Sequence, residues 1–103
     1  MKVKVTLNEA GKPAGKLADA EPIFEDNDGP LNGLKLVGFA VWQRRSGPDK
    51  RITFPARRYS LSGAQRSYAL LRPTAGTGGR AAGEESVRAL ILHAFEEGQE
   101  RVA

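Results

Sequence analysis

A chain of 103 residues with 40% hydrophobic and 27% charged content has the composition of an ordinary globular protein and the length of one domain, residues 1–103. It has no cysteine, which excludes disulfides, thiolate metal sites and cysteine nucleophiles; it also lacks an apolar leader and any run near the roughly 18 apolar residues of a membrane span, so a cytoplasmic protein with no membrane partner is expected. The net charge of +4 conceals a segregation: residues 44–80 hold Arg44, Arg45, Lys50, Arg51, Arg57, Arg58, Arg66, Arg72 and Arg80 against Asp49 alone, while the flanking segments are mildly acidic.

In chain order, Val3 and Val5 alternate with Lys2, Lys4 and Thr6, the period-two pattern of a half-buried strand, and residues 8–15 are rich in turn formers. Residues 16–25 predict a second strand in which Pro22 points to an edge or irregular position. Residues 25–30 (EDNDGP) predict a turn, because Asx side chains bond to the local backbone and glycine supplies positive φ. Residues 34–42 (LKLVGFAVW) are apolar on both parities and predict a strand covered on two sides or placed at a dimer contact. A turn at Ser46-Gly47-Pro48-Asp49 leads into a fourth strand at residues 51–54, ended by Pro55, which lacks a ladder donor. Residues 59–65 read as a loop around Gly63, and residues 66–72 (RSYALLR) as a short candidate strand. Residues 76–83 belong to a glycine-rich stretch with the composition of a flexible loop. Beyond it, Val87, Leu90, Ile91, Ala94 and Phe95 fall on one helical stripe. Glu84 and Glu85 occupy the first turn, Glu84 is placed to pair with Arg88, and Gly98 offers an end.

The chemistry of a catalytic site is hard to assemble from these residues. The single imidazole, His93, lies beside the apolar stripe and reads as a surface or boundary residue, not as the base of a hydroxyl nucleophile. One histidine without cysteine makes a poor metal set, and Asp26 and Asp28 are followed by Gly29-Pro30 where a calcium loop needs further ligands. The glycines from Gly76 to Gly83 lack the Gly-Lys-Ser/Thr ending of a phosphate loop. The helix acids read as a solvated face and not as the paired carboxylates of a glycosidase. No enzyme activity, cofactor, metal or small-molecule substrate is expected. A different chemistry is offered by residues 52–59 (ITFPARRY), where a strand stops at proline and releases Arg57, Arg58 and Tyr59. Arginine forks fit phosphate, and an aromatic ring either stacks on a base or covers the sheet.

The order of elements, with Phe54-Pro55-Ala56-Arg57-Arg58 at a strand end, Ser62-Gly63 after it, a segment from Tyr68 to Pro73 and then a helix, resembles the SpoVG (stage V sporulation protein G) family. In that family a strand ends in Met-Pro-Ser with basic residues; here Phe54 and Ala56 stand in place of the Met and Ser, the glycine-rich insertion before the helix is longer and the hairpin over residues 44–50 is extended. The resemblance implies a small α+β domain with an antiparallel sheet of four to five strands and one C-terminal helix. It also implies dimerisation through sheet edges and binding of DNA or RNA in gene regulation, with Arg57 and Arg58 carried over by position as contacts. Arg44, Arg45, Lys50, Arg51 and Arg66 are expected to support them on an Arg-rich surface. The competing expectation is an interaction or scaffold dimer whose basic loops meet an acidic protein and no nucleic acid.

Overall fold

The computed structural model describes residues 1–72 and 79–102, with side chains over 1–72 and 83–98. The alternation at the N-terminus builds β1 (Lys2–Leu7), which pairs antiparallel with β2 (Lys16–Ile23) so that Val3 faces Pro22 and Val5 faces Ala20. β3 (Phe39–Gln43) and β4 (Lys50–Thr53) extend the sheet in the order β1-β2-β3-β4, every neighbour antiparallel. Directly opposed residues share a face, so the registers Val5–Ala20–Phe39 and Ala18–Val41–Ile52 lay one apolar side across all four strands.

Helix α1 (Gly79–Val102) covers that side and touches β1, β2 and β4. Ile91 and Phe95 are buried against Ala18, Ala20, Phe39, Val41 and Ile52, with Val87 packed at the margin. Each large apolar side chain fully removed from water there contributes about 1.5–3 kcal/mol. The two alanines of β2 are the smallest members of this face and are completely buried, which leaves room for the larger helix side chains. The result is a two-layer α+β fold.

β5 (Ala56–Leu61) and β6 (Ala64–Ala69) stand apart as a second, two-stranded sheet. Their connection is Ser62-Gly63, with φ of 51° and 80°, the pair of positive values that a tight hairpin turn of right-handed twist demands. Every residue of both strands is exposed. The ribbon is held at its base, where the Leu70 amide donates to the Pro55 carbonyl at 3.0 Å and Phe54 and Leu71 pack on the main core.

Several expectations need correction. Residues 59–65 are not a loop: Tyr59 ends up in β5, Gln65 in β6, and only the two turn residues lie between the strands. Strand three starts at Phe39 instead of residue 34, because Gly38 adopts φ of 106° and interrupts the ladder, leaving a lone bridge between Ile23 and Lys35. β2 is an inner strand and not an edge, and Pro22 takes the irregular position that was the other expectation. The Pro22 carbonyl accepts from the Leu36 amide, so its missing N–H faces this same irregular segment and not β1, and no regular bond is lost. The acidic turn is a short 3-10 helix, Asp26–Leu31, in which the Asp28 carboxylate accepts the Glu25 amide at 2.6 Å and Asn32 donates to Asp26 at 2.9 Å.

The helix begins at Gly79 and runs past Gly98 to Val102. Part of the predicted glycine-rich loop therefore lies outside the described residues, at 76–78, and the remainder belongs to the first turns of α1, where Ala81 and Ala82 are strong helix formers between the glycines. Leu90 stays exposed, so the buried stripe is narrower than the sequence pattern, and Arg88 pairs with Glu85 instead of Glu84.

Two outcomes follow from this packing. A β-carbon on Gly38 would lie 2.9 Å from the Pro55 β-carbon, a ring atom with no freedom to swing away. Gly38→Ala should therefore lower stability by about 3 kcal/mol, combining backbone strain with overpacking, as read by denaturant unfolding. The Asp28 carboxyl is held below the ordinary aspartate range, first by the hydrogen bond from the Glu25 amide and then by the Met1 ammonium 3.0 Å away. A depressed folded-state value means its contribution is present above the unfolded pKa and lost as pH falls through the folded one. An NMR titration of the Asp28 carboxyl should show a midpoint below that of an unstructured aspartate, and Asp28→Asn should flatten the acid limb of the stability curve.

Candidate nucleic-acid interface

Of the seven basic residues singled out from the sequence, six fall into two groups, one at the end of the main sheet and one on the ribbon, and Lys50 joins neither. The first surrounds the far end of β3 and β4. Trp42 and Arg51 are directly opposed on the face away from the helix, with the guanidinium carbon 5.9 Å from the indole centroid. The indole nitrogen donates to the Thr53 hydroxyl at 2.8 Å, which fixes the ring plane. Arg44 and Arg45 leave the strand end beside them, and the three arginines and Trp42 line one open recess with Ala14 and Gly15. The connecting loop is shaped by Gly47, whose φ is 86°, and by the Gln43 side chain, which donates to the Gly47 carbonyl at 3.2 Å.

Lys50 does not join this group. It lies on the opposite side of β4, in the recess shared with Leu92, Phe95 and Glu96 of the helix, and its ammonium donates to the Pro48 carbonyl at 3.1 Å. Strand alternation is the reason, since adjacent residues such as Lys50 and Arg51 point to opposite faces.

The second group is carried by the ribbon. In its register Arg57 faces Tyr68, Arg58 faces Ser67 and Tyr59 faces Arg66. One face therefore presents Arg57, Tyr59, Arg66 and Tyr68, and the other presents Arg58 with Ser60, Gln65 and Ser67. Arg57 and Arg58, adjacent in sequence, do not act from one side. On its own face Arg58 shares a shallow depression with Gln65 and Ser67, whose lining also takes in atoms of Arg66 at the margin. The two tyrosine rings pack against each other at 5.8 Å between centroids, and the Arg72 guanidinium lies 5.6 Å from the Tyr68 centroid.

Among the described residues, carboxylate pairing of Lys and Arg side chains is confined to three. Lys16 pairs with Asp19 at 2.7 Å, Lys35 with Glu21 at 3.3 Å, and Arg88 with Glu85. Among the described residues no carboxylate pairs with Arg44, Arg45, Arg51, Arg57, Arg58 or Arg66, and all six are exposed. Unpaired guanidinium groups in each cluster set up a local positive potential that attracts anions. His93, the only histidine, is exposed on the helix and reaches Glu97 at 2.9 Å across one turn.

Trp42, Tyr68 and Arg72 belong to these clusters and were not singled out as site residues from the sequence. The signal for Tyr68 was present: Tyr59 and Leu61 alternate with Arg58 and Ser60, and a hairpin about Ser62-Gly63 sets Tyr68 on the same face. Trp42 gave no such signal, since it ends an apolar run. Among the described residues no helix is long and apolar enough to cross a membrane. No family model, curated protein or solved structure matches the chain.

Proposed function

We propose that this protein is a nucleic-acid-binding regulator that acts in the cytoplasm as a small homodimer through its exposed arginines. The observation that carries the reading is the set of six exposed arginines without a carboxylate partner among the described residues. Lys16, Lys35 and Arg88 are paired with carboxylates, so acids do lie within reach of cations elsewhere in the chain, although among the described residues Lys2, Lys4, Lys12, Lys50 and Arg72 share the unpaired state of the six. Arginine offers a planar fork for phosphate, and Arg51, Arg57, Arg58 and Arg66 are mounted on hydrogen-bonded strands. The resemblance to the SpoVG family, carried by Phe54-Pro55-Ala56-Arg57-Arg58 and the order of elements, supports the same reading.

Dimerisation is supported by unpaired edges and apolar surface. β1 and β4 end the main sheet, both ribbon strands are edges, and Leu34, Val37, Leu61 and Leu70 are each more than half exposed. Edge pairing leaves the faces of the ribbon open, so it is compatible with the nucleic-acid contacts. Sedimentation equilibrium should give twice the chain mass of 11.1 kDa; a monomer at concentrations well above those needed for binding would remove the dimer.

Fluorescence anisotropy with labelled DNA and RNA tests the main reading. If six or more phosphates are engaged, affinity should fall roughly a thousandfold between about 50 and 200 mM salt. Replacing both Arg57 and Arg58 with Ala should weaken binding and reduce the salt slope by about two, with the unfolding midpoint unchanged. Binding that is unaltered in the double variant would remove those two residues from the interface. A protein that holds no nucleic acid even at low salt would instead be a module for an acidic protein partner.

A further inference from the structure

We propose that the tyrosine face of the β5–β6 ribbon is a stacking platform selective for single-stranded nucleic acid. This rests on the nucleic-acid reading above and names the ligand form that one part of the site accepts. The face is a small checkerboard: Arg57 opposes Tyr68 on one rung, and Tyr59 opposes Arg66 on another. Two rings and two guanidinium groups thus alternate on a hydrogen-bonded ladder. Tyr59 is 40% exposed and Tyr68 37%, and no other element of the described structure covers them.

Isolated two-stranded hairpins are marginal in water, and aromatic rings on them are normally spent on covering a core. Here the core lies on the main sheet, and the two tyrosine rings pack on each other with the Arg72 guanidinium beside Tyr68. Neither tyrosine hydroxyl makes a hydrogen bond among the described residues, so no internal bond ties either ring to the rest of the molecule. A ring face recognises another π-face. In a duplex those faces are occupied by neighbouring bases, whereas a single strand can lay its bases on aromatic side chains and its phosphates on flanking arginines. Arg57 and Arg66 flank the rings without a carboxylate to neutralise them.

The test compares labelled oligothymidylate of about 20 nucleotides with a duplex of the same length, at one moderate salt concentration. The wild-type protein should hold the single strand about tenfold or more tighter, and Tyr59→Leu with Tyr68→Leu should lose at least about tenfold for the single strand while leaving the duplex unchanged. Tyr59→Phe with Tyr68→Phe should restore single-strand binding, because the ring is kept. Since the leucine variant could disturb the ribbon itself, photocross-linking of the wild-type protein to an oligonucleotide bearing 5-iodouracil gives an independent readout, with adducts expected on Tyr59 or Tyr68. Equal or tighter duplex binding, an unaffected leucine variant, or adducts confined to other residues overturns the platform while leaving an arginine-mediated interface standing. Failure to hold either oligonucleotide removes both proposals together.

Discussion

The close approach of Pro55 to the bare α-carbon of Gly38 is the constraint on which the layout turns. At that point the chain must do two things at once: enter β3 from an irregular segment and leave β4 for the ribbon. Gly38 takes a φ of 106° that a side chain would resist, and the missing β-carbon is the space that Pro55 occupies. Proline in turn has no amide to continue the β4 ladder, so the strand ends and the chain departs. Phe39 and Phe54, one residue inside this contact on each side, meet edge to face at 5.1 Å and seal the core beneath it.

The core this produces is small, with buried side chains drawn from β2, β3, β4 and one helix. It spends the large apolar residues of the main sheet and leaves none for the ribbon, which is anchored only at Phe54, Leu70 and Leu71. The division has a functional consequence. The elements that determine stability carry almost none of the unpaired arginines, and the segments that carry them have little to lose in the core. Side chains on the ribbon are thus free to be chosen for what they contact outside the molecule.

How legible the site was can be judged from particular residues. Arg57 and Arg58 were recognisable as a basic pair, and the register sets them on opposite faces of the ribbon, because neighbours on a strand face opposite ways. Lys50 and Arg51 are separated in the same manner. Tyr59 was open to two roles, stacking on a base or covering the sheet; it packs on Tyr68 in a strand that lies outside the main sheet. Residues 34–38 looked like strand by their apolar content, but composition carries no information about a glycine whose φ interrupts the ladder.

Local pattern alone determined β1, β2, the β3–β4 hairpin and the helical character of residues 84–97, because alternation, turn chemistry and a 3.6-residue stripe are properties of neighbouring residues. It also determined that positive charge is concentrated in the middle of the chain. Only the tertiary structure decided which of those charges share a face, which remain without a carboxylate, and that residues 56–69 form a ribbon separate from the sheet. Those outcomes depend on register and on what packs across from each strand, and such relations link residues that the sequence places far apart.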